Sequence, residues 1–109
     1  MISRPKSGTE TINWNGIDKV EVIEREYDFL VRIWVDGENA CAKFNVRASE
    51  SDGVIRSKLL FALEKLGKTQ TGFAGLHSKE EMQARVDILE KIKRMIDQFS
   101  KIDERVSLK

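Results

Sequence analysis

Hydrophobic and polar residues alternate with a period of two between positions 27 and 47. Tyr27, Phe29, Val31, Ile33 and Val35 fall on one side of the repeat, with Asp28, Leu30, Arg32 and Trp34 on the other. After Asp36-Gly37 the alternation resumes, with Ala40, Ala42, Phe44 and Val46 set against Cys41, Lys43, Asn45 and Arg47. Two alternating runs joined through Asp-Gly predict a β-hairpin with two distinct faces. A two-residue turn would pair Val35 with Glu38, Ile33 with Ala40, Val31 with Ala42 and Phe29 with Phe44. Asn15-Gly16 is a second hairpin signal, joining residues 10–14 to 17–24. A turn at Arg25-Glu26 or its neighbours then leads into the run at Tyr27. The result is a four-stranded antiparallel meander over residues 9–47.

The period changes after position 48. Ile55, Leu59, Ala62, Leu63 and Leu66 recur at helical spacing, which predicts a helix over 50–66. Ser49-Glu50-Ser51-Asp52 supplies its cap and acidic first turn, and Gly67 its stop. Residues 67–77 read as a loop in which Phe73 and Leu76 fold back as plugs. Ser78 and Glu81 form an S-x-x-E capping box opening a second helix, 78–105. Ile88, Ile92, Met95, Phe99, Ile102 and Val106 make its apolar stripe, widened by Leu89 and Ile96. The fold class is therefore α+β: one domain, 9–106, of four antiparallel strands followed by two helices on one face, between tails 1–8 and 107–109.

The length of the second helix has a consequence. It would run roughly 40 Å at 1.5 Å per residue, whereas a nine-residue strand reaches only about 30 Å. An unbroken helix overhangs its sheet, and its heptad-like stripe then predicts a homodimer through Ile92, Met95, Phe99, Ile102 and Val106. The alternative is a break near Ser100 that folds the helix back.

The sheet face turned away from the helices is the candidate site. Carrying the register outward places Trp34, Arg32, Lys43, Arg47, Ile17 and Lys19 there, with Leu30 alongside. Trp14 joins them, together with Ile12, if Asn15-Gly16 is a simple two-residue turn. One extra residue would move Ile12 and Trp14 to the core face beside Val20, since a one-residue slip reverses every side chain. A tryptophan-centred apolar patch with an arginine rim has the composition of a binding hot spot. Aromatic rings among Lys and Arg also form platforms for single-stranded nucleic acid. The plainer reading makes Lys43 and Arg47 edge protection and lets Glu21 and Asp28 neutralise the rest across strands. A strand meander followed by a helix, dimeric, with an aromatic and basic sheet face, resembles the positive-cofactor-four-like and Whirly-type single-stranded DNA binders in topology, over roughly residues 10–66. That resemblance implies a nucleic-acid-binding face.

Composition adds bounds. In 109 residues the formal net charge is +1, so no global field draws the chain to polyanions and nucleic-acid binding would need a local patch. Cys41, the single cysteine, excludes an intrachain disulfide and cysteine-based zinc patterns. The start lacks an apolar stretch behind its positive charges, and no segment reaches the roughly 20 apolar residues that span a bilayer. A soluble, cytoplasmic protein is expected. Ala62-Leu-Glu-Lys-Leu-Gly67-Lys68-Thr69 echoes a phosphate-binding loop, but it closes a helix where such a loop must open one. His77, the lone histidine, has no nucleophile set beside it by any motif and reads as a surface loop residue. The expectation is a non-catalytic module without cofactor or metal. It binds a protein partner, as an adaptor or phage-type inhibitor does, through the sheet face, the long helix, or both. The second function class is single-stranded nucleic-acid binding through the same sheet face.

Overall fold

The computed structural model describes residues 6–37, 39–68 and 79–107, with side chains as far as Phe99 in the last stretch. Four strands, β1 (Ser7–Trp14), β2 (Ile17–Glu24), β3 (Phe29–Val35) and β4 (Ala40–Val46), form one open antiparallel sheet in the order β1-β2-β3-β4. Two helices follow, α1 (Asp52–Lys65) and α2 (Lys79–Ser107). The α+β architecture expected from the periodicity is therefore present. β1 starts at Ser7, inside what the sequence gives to a tail. Phe73, Leu76, His77 and the Ser78 cap lie outside the described residues, as do the side chains of Ile102 and Val106.

Alternation sets the core. Val20 and Val22 of β2 and Val31, Ile33 and Val35 of β3 face Leu59 and Leu63 of α1 and Ile88 and Ile92 of α2, and all are buried. α1 lies against β4, and α2 crosses β1 and β2. At about 1.5–3 kcal/mol for each such side chain taken from water, this single layer of contacts is the main source of stability. Ser51 Oγ caps α1 by accepting the Val54 N–H at 3.3 Å. Gly67, at φ +69°, ends it while the Lys68 N–H reaches back to the Leu63 carbonyl at 2.9 Å.

α2 is unbroken over its 29 residues, and the described part of its stripe is used within the domain. Ile92, Met95 and Phe99 are all in the domain's own core, and Phe99 stacks on Phe29 with ring centroids 6.2 Å apart. Three of the residues expected at a dimer contact, Ile92, Met95 and Phe99, thus serve the core, while the side chains of Ile102 and Val106 lie outside the described residues. The helix is longer than a strand, but the core-facing stripe still finds β1 and β2 beneath it as far as Phe99. Gly8 makes that possible, since a Cβ built there would stand 3.1 Å from Met95 Sδ and 3.5 Å from the Phe99 ring. An alanine at position 8 would require Met95 to yield by a few tenths of an ångström, while its distance from the Phe99 ring would be an ordinary contact.

Registers differ from expectation by two residues at two hairpins, which preserves the faces. The last β3–β4 pair is Val35–Ala40, and Phe29 meets Val46 rather than Phe44. Likewise Glu24 pairs with Phe29, so Tyr27 belongs to the turn and is 84% exposed. Side-chain chemistry widens both turns. Arg25 forms a two-pronged ion pair with Asp28 at 2.6 and 2.7 Å, and Asn39 Nδ2 donates to the Asp36 carbonyl at 2.7 Å. Asn15-Gly16 keeps its two-residue form, with φ of +53° and +80°, the twisted turn that favours Asn-Gly.

The first strand resolves its ambiguity in an unexpected way. The turn has no extra residue, and Trp14 pairs with Ile17, yet the register shifts between Thr11 and Trp14. A second shift falls between Ile17 and Lys19 against β3, so that Ile17 pairs with Val35. Two adjoining bulges around Asp18 thus turn Ile12, Trp14 and Ile17 to the helix side. Strict alternation from Val20 would have put the Asp18 carboxylate into the core, at heavy cost. Instead Asp18 Oδ2 accepts the Gly37 N–H at 2.7 Å, and Ile17 is buried in its place.

Candidate functional site: the uncovered face of the sheet

Both helices cover one face of the sheet, so the other carries no element among the described residues. Alternation places Lys19, Glu21 and Ile23 of β2, Leu30, Arg32 and Trp34 of β3, and Cys41, Lys43 and Asn45 of β4 on it. Trp34 is half-buried in the row nearest the Asp36-Gly37 turn, next to Lys19 on one side and Cys41 on the other.

A polar network fixes the indole. Its Nε1–H donates to Glu21 Oε1 at 3.2 Å. The same oxygen lies 3.1 Å from Arg32 Nε, an ion-pair distance without hydrogen-bond alignment. Lys19 Nζ and Arg32 Cζ stand 5.8 and 5.7 Å from the ring centroid, within the range of cation–π attraction. The Arg32 and Glu21 side chains keep 31% and 24% of their exposure, so the pair contributes at most about 1 kcal/mol to stability. Its larger effect is orientation, because one carboxylate holds both the tryptophan and the arginine. Ile23 and Leu30 are paired and half-buried further along, extending the apolar strip.

Of the residues expected here, Trp34, Arg32, Lys19 and Lys43 share the face. Ile17 and Trp14 do not. Ile17 is core, and Trp14 is half-buried against the core and lines a groove beside Gln83 and Ala84 of α2. The bulges at Asp18 are the physical reason. Arg47 also departs, because β4 ends at Val46, and it borders a cleft with Glu50 and Asp52. Glu21 was foreseen only as a cross-strand neutraliser; that its carboxylate would also bind the indole had no signal in spacing.

At the end of the face, Asp28 is held below the usual carboxylate range, first by the hydrogen bond from Arg25 and further by Asn45 Nδ2, while desolvation works the other way. Arg25 is raised correspondingly by Asp28. Glu50 is lowered chiefly by Lys58, 2.8 Å away, against desolvation, with help from the Arg47 N–H. Carboxylates lowered in the folded state stabilise it above their unfolded pKa, and that contribution is lost as pH falls through the folded value. The urea midpoint should accordingly drop as pH falls below about 4, and the drop should be shallower in Asp28→Asn and Glu50→Gln. Equal slopes in wild type and both variants would contradict the assignment.

No cluster of three His, Cys, Asp or Glu suited to a metal ion occurs among the described residues. No described helix is long and apolar enough to cross a membrane. No family model, curated protein or solved structure matches the chain. The topological likeness to the single-stranded DNA binders thus has no match behind it.

Proposed function

We propose that this protein is a non-catalytic interaction module that binds a protein partner through the uncovered sheet face, with Trp34 as its anchor. The observation that carries the reading is the Trp34 indole, half-buried on that face, hydrogen-bonded to Glu21 and flanked by Lys19 and Arg32. Tryptophan and arginine dominate binding hot spots, and a side chain already fixed in place loses less entropy on binding. An adaptor or an inhibitor of a larger cytoplasmic complex would use such a surface. The homodimer through α2 is not part of this reading, since Ile92, Met95 and Phe99 serve the core.

Trp34→Ala should fold, because the residue lies outside the core, and should weaken partner binding by at least about 2 kcal/mol, roughly thirtyfold in Kd. Quantitative affinity capture with wild type and variant, followed by titration of the recovered partner, measures this. Unchanged binding by a folded variant removes the face as the site.

The second reading is single-stranded nucleic acid on the same face. It is favoured by the cations Lys19 and Arg32 beside Trp34, with Lys43 directly paired to Arg32 across strands. Glu21 at their centre opposes phosphate, which is why the protein partner ranks first. Fluorescence polarisation with a labelled oligonucleotide at two salt concentrations separates the two, since phosphate contacts give a steep fall of log affinity with log salt.

A further inference from the structure

A second surface lies on the opposite edge of α1 from the core, and it has a different chemistry. α1 buries Ile55, Leu59, Ala62 and Leu63, yet it also presents Val54 and Phe61 to solvent, with Phe61 60% exposed. A helix resting on a core needs one apolar side; a helix apolar on two sides has something more to cover. Beside Phe61 a groove of about 300 Å³ runs between α1 and β4, floored by Phe44 and Ala62. Its rim carries Lys43, Lys58 and Lys65, and no carboxylate among the described residues lines it.

The three lysines are not equivalent. Lys58 is engaged, donating to the Asn45 carbonyl at 2.7 Å and to Glu50 at 2.8 Å. Lys65 lies over the Phe61 ring, its Nζ 5.0 Å from the centroid. Neither Lys43 nor Lys65 has an ion-pair partner among the described residues. β4 is an edge strand. Because main-chain groups of alternate residues point the same way, the outward Asn45 carbonyl implies outward N–H and C=O groups at Lys43 and Cys41 as well. Lys58 occupies the Asn45 end only.

We infer that this groove binds an extended acidic peptide segment of a partner protein, lying along the β4 edge with an apolar side chain between Phe44 and Phe61 and its carboxylates on Lys43 and Lys65. Main-chain pairing to an open edge supplies affinity in this mode, and the pocket and charges supply selectivity. The site meets the Trp34 face only at Lys43, on the sheet edge between them, and otherwise lies on the helix side.

Selection of short random linear peptides displayed on phage against the immobilised protein tests this. The enriched peptides should combine Asp or Glu with aromatic or aliphatic residues at alternate positions. A synthetic copy of the best should bind wild type, and bind Phe61→Ser and Lys65→Glu at least about tenfold more weakly. Both substitutions fall on exposed positions of α1, and circular dichroism verifies their folding. Trp34→Ala should bind that peptide as wild type does. Selection without enrichment, enriched peptides without an acidic excess, or equal binding by Phe61→Ser and Lys65→Glu overturns the inference. Loss of the peptide in Trp34→Ala alone would assign it to the other face and overturn this site while leaving the Trp34 reading intact.

Discussion

An Ile92→Asp variant is expected to lose the folded state outright. Ile92 is fully buried beneath α2 in the shared core with Ile88, Val20 and Val22. A carboxylate there would have to be desolvated without a partner or become protonated, and either route costs several kcal/mol. The cavity left by the lost aliphatic volume adds to this. A domain of this size has a total stability of about 5–15 kcal/mol, so the substitution removes a large share of it. The experiment also decides between two roles for the α2 stripe. If Ile92 sealed a helix pair between two copies, its replacement by aspartate would give a folded, soluble monomer. As a core residue it gives a protein without a cooperative thermal transition, and circular dichroism with size-exclusion chromatography distinguishes the two. A folded monomer would overturn the core assignment.

Phe99→Ala should destabilise the domain by about 3–5 kcal/mol, the range for a large aromatic removed from a core. Phe99 is 7% exposed and stacks on Phe29 at 6.2 Å with an interplanar angle of 23°. The contact joins the C-terminal half of α2 to the start of β3. Urea denaturation of Phe99→Leu, Phe29→Leu and the double variant isolates the ring–ring contribution, expected at about 0.5–1.5 kcal/mol beyond area burial. Additive effects in that cycle would mean that the two rings are neighbours without mutual preference. A cost below about 1 kcal/mol for Phe99→Ala would mean that the helix end frays away from the sheet.

The alternation at 29–35 and 40–46 was enough to assign both faces of β3 and β4, because a two-residue register shift leaves every side chain where it was. The two helices were legible for a similar reason: Ile55, Leu59 and Leu63, or Ile88, Ile92 and Met95, keep their spacing whatever they pack against. Three features were not. The bulges at Asp18 leave no mark in the period, since the decision to expel one carboxylate and admit Ile17 depends on three strands at once. Element lengths alone leave Phe99 without a partner, whereas its burial goes with the close approach of α2 to the sheet at Gly8. Trp34 is readable as a residue of the far face, but its fixed orientation arises from Glu21 on a neighbouring strand, a contact visible only once the register is known. Arg47 was lost from the site because β4 ends one residue before it.

The seam between β1 and α2 carries a consequence for assembly. Arg94 meets Glu10 at 3.0 Å, Lys91 donates to the Thr11 carbonyl at 3.0 Å, and Lys6 reaches the Phe99 carbonyl at 3.4 Å, across sequence separations of 84, 80 and 93. Every other junction in the sheet is between neighbours in the chain and can form as a local hairpin. The seam must close a loop almost as long as the protein, so its entropy is repaid only when both ends are in place. The first and last elements therefore act as a clasp: a nascent chain can shape its meander early, but it cannot lock its core until α2 has been synthesised and brought back over β1.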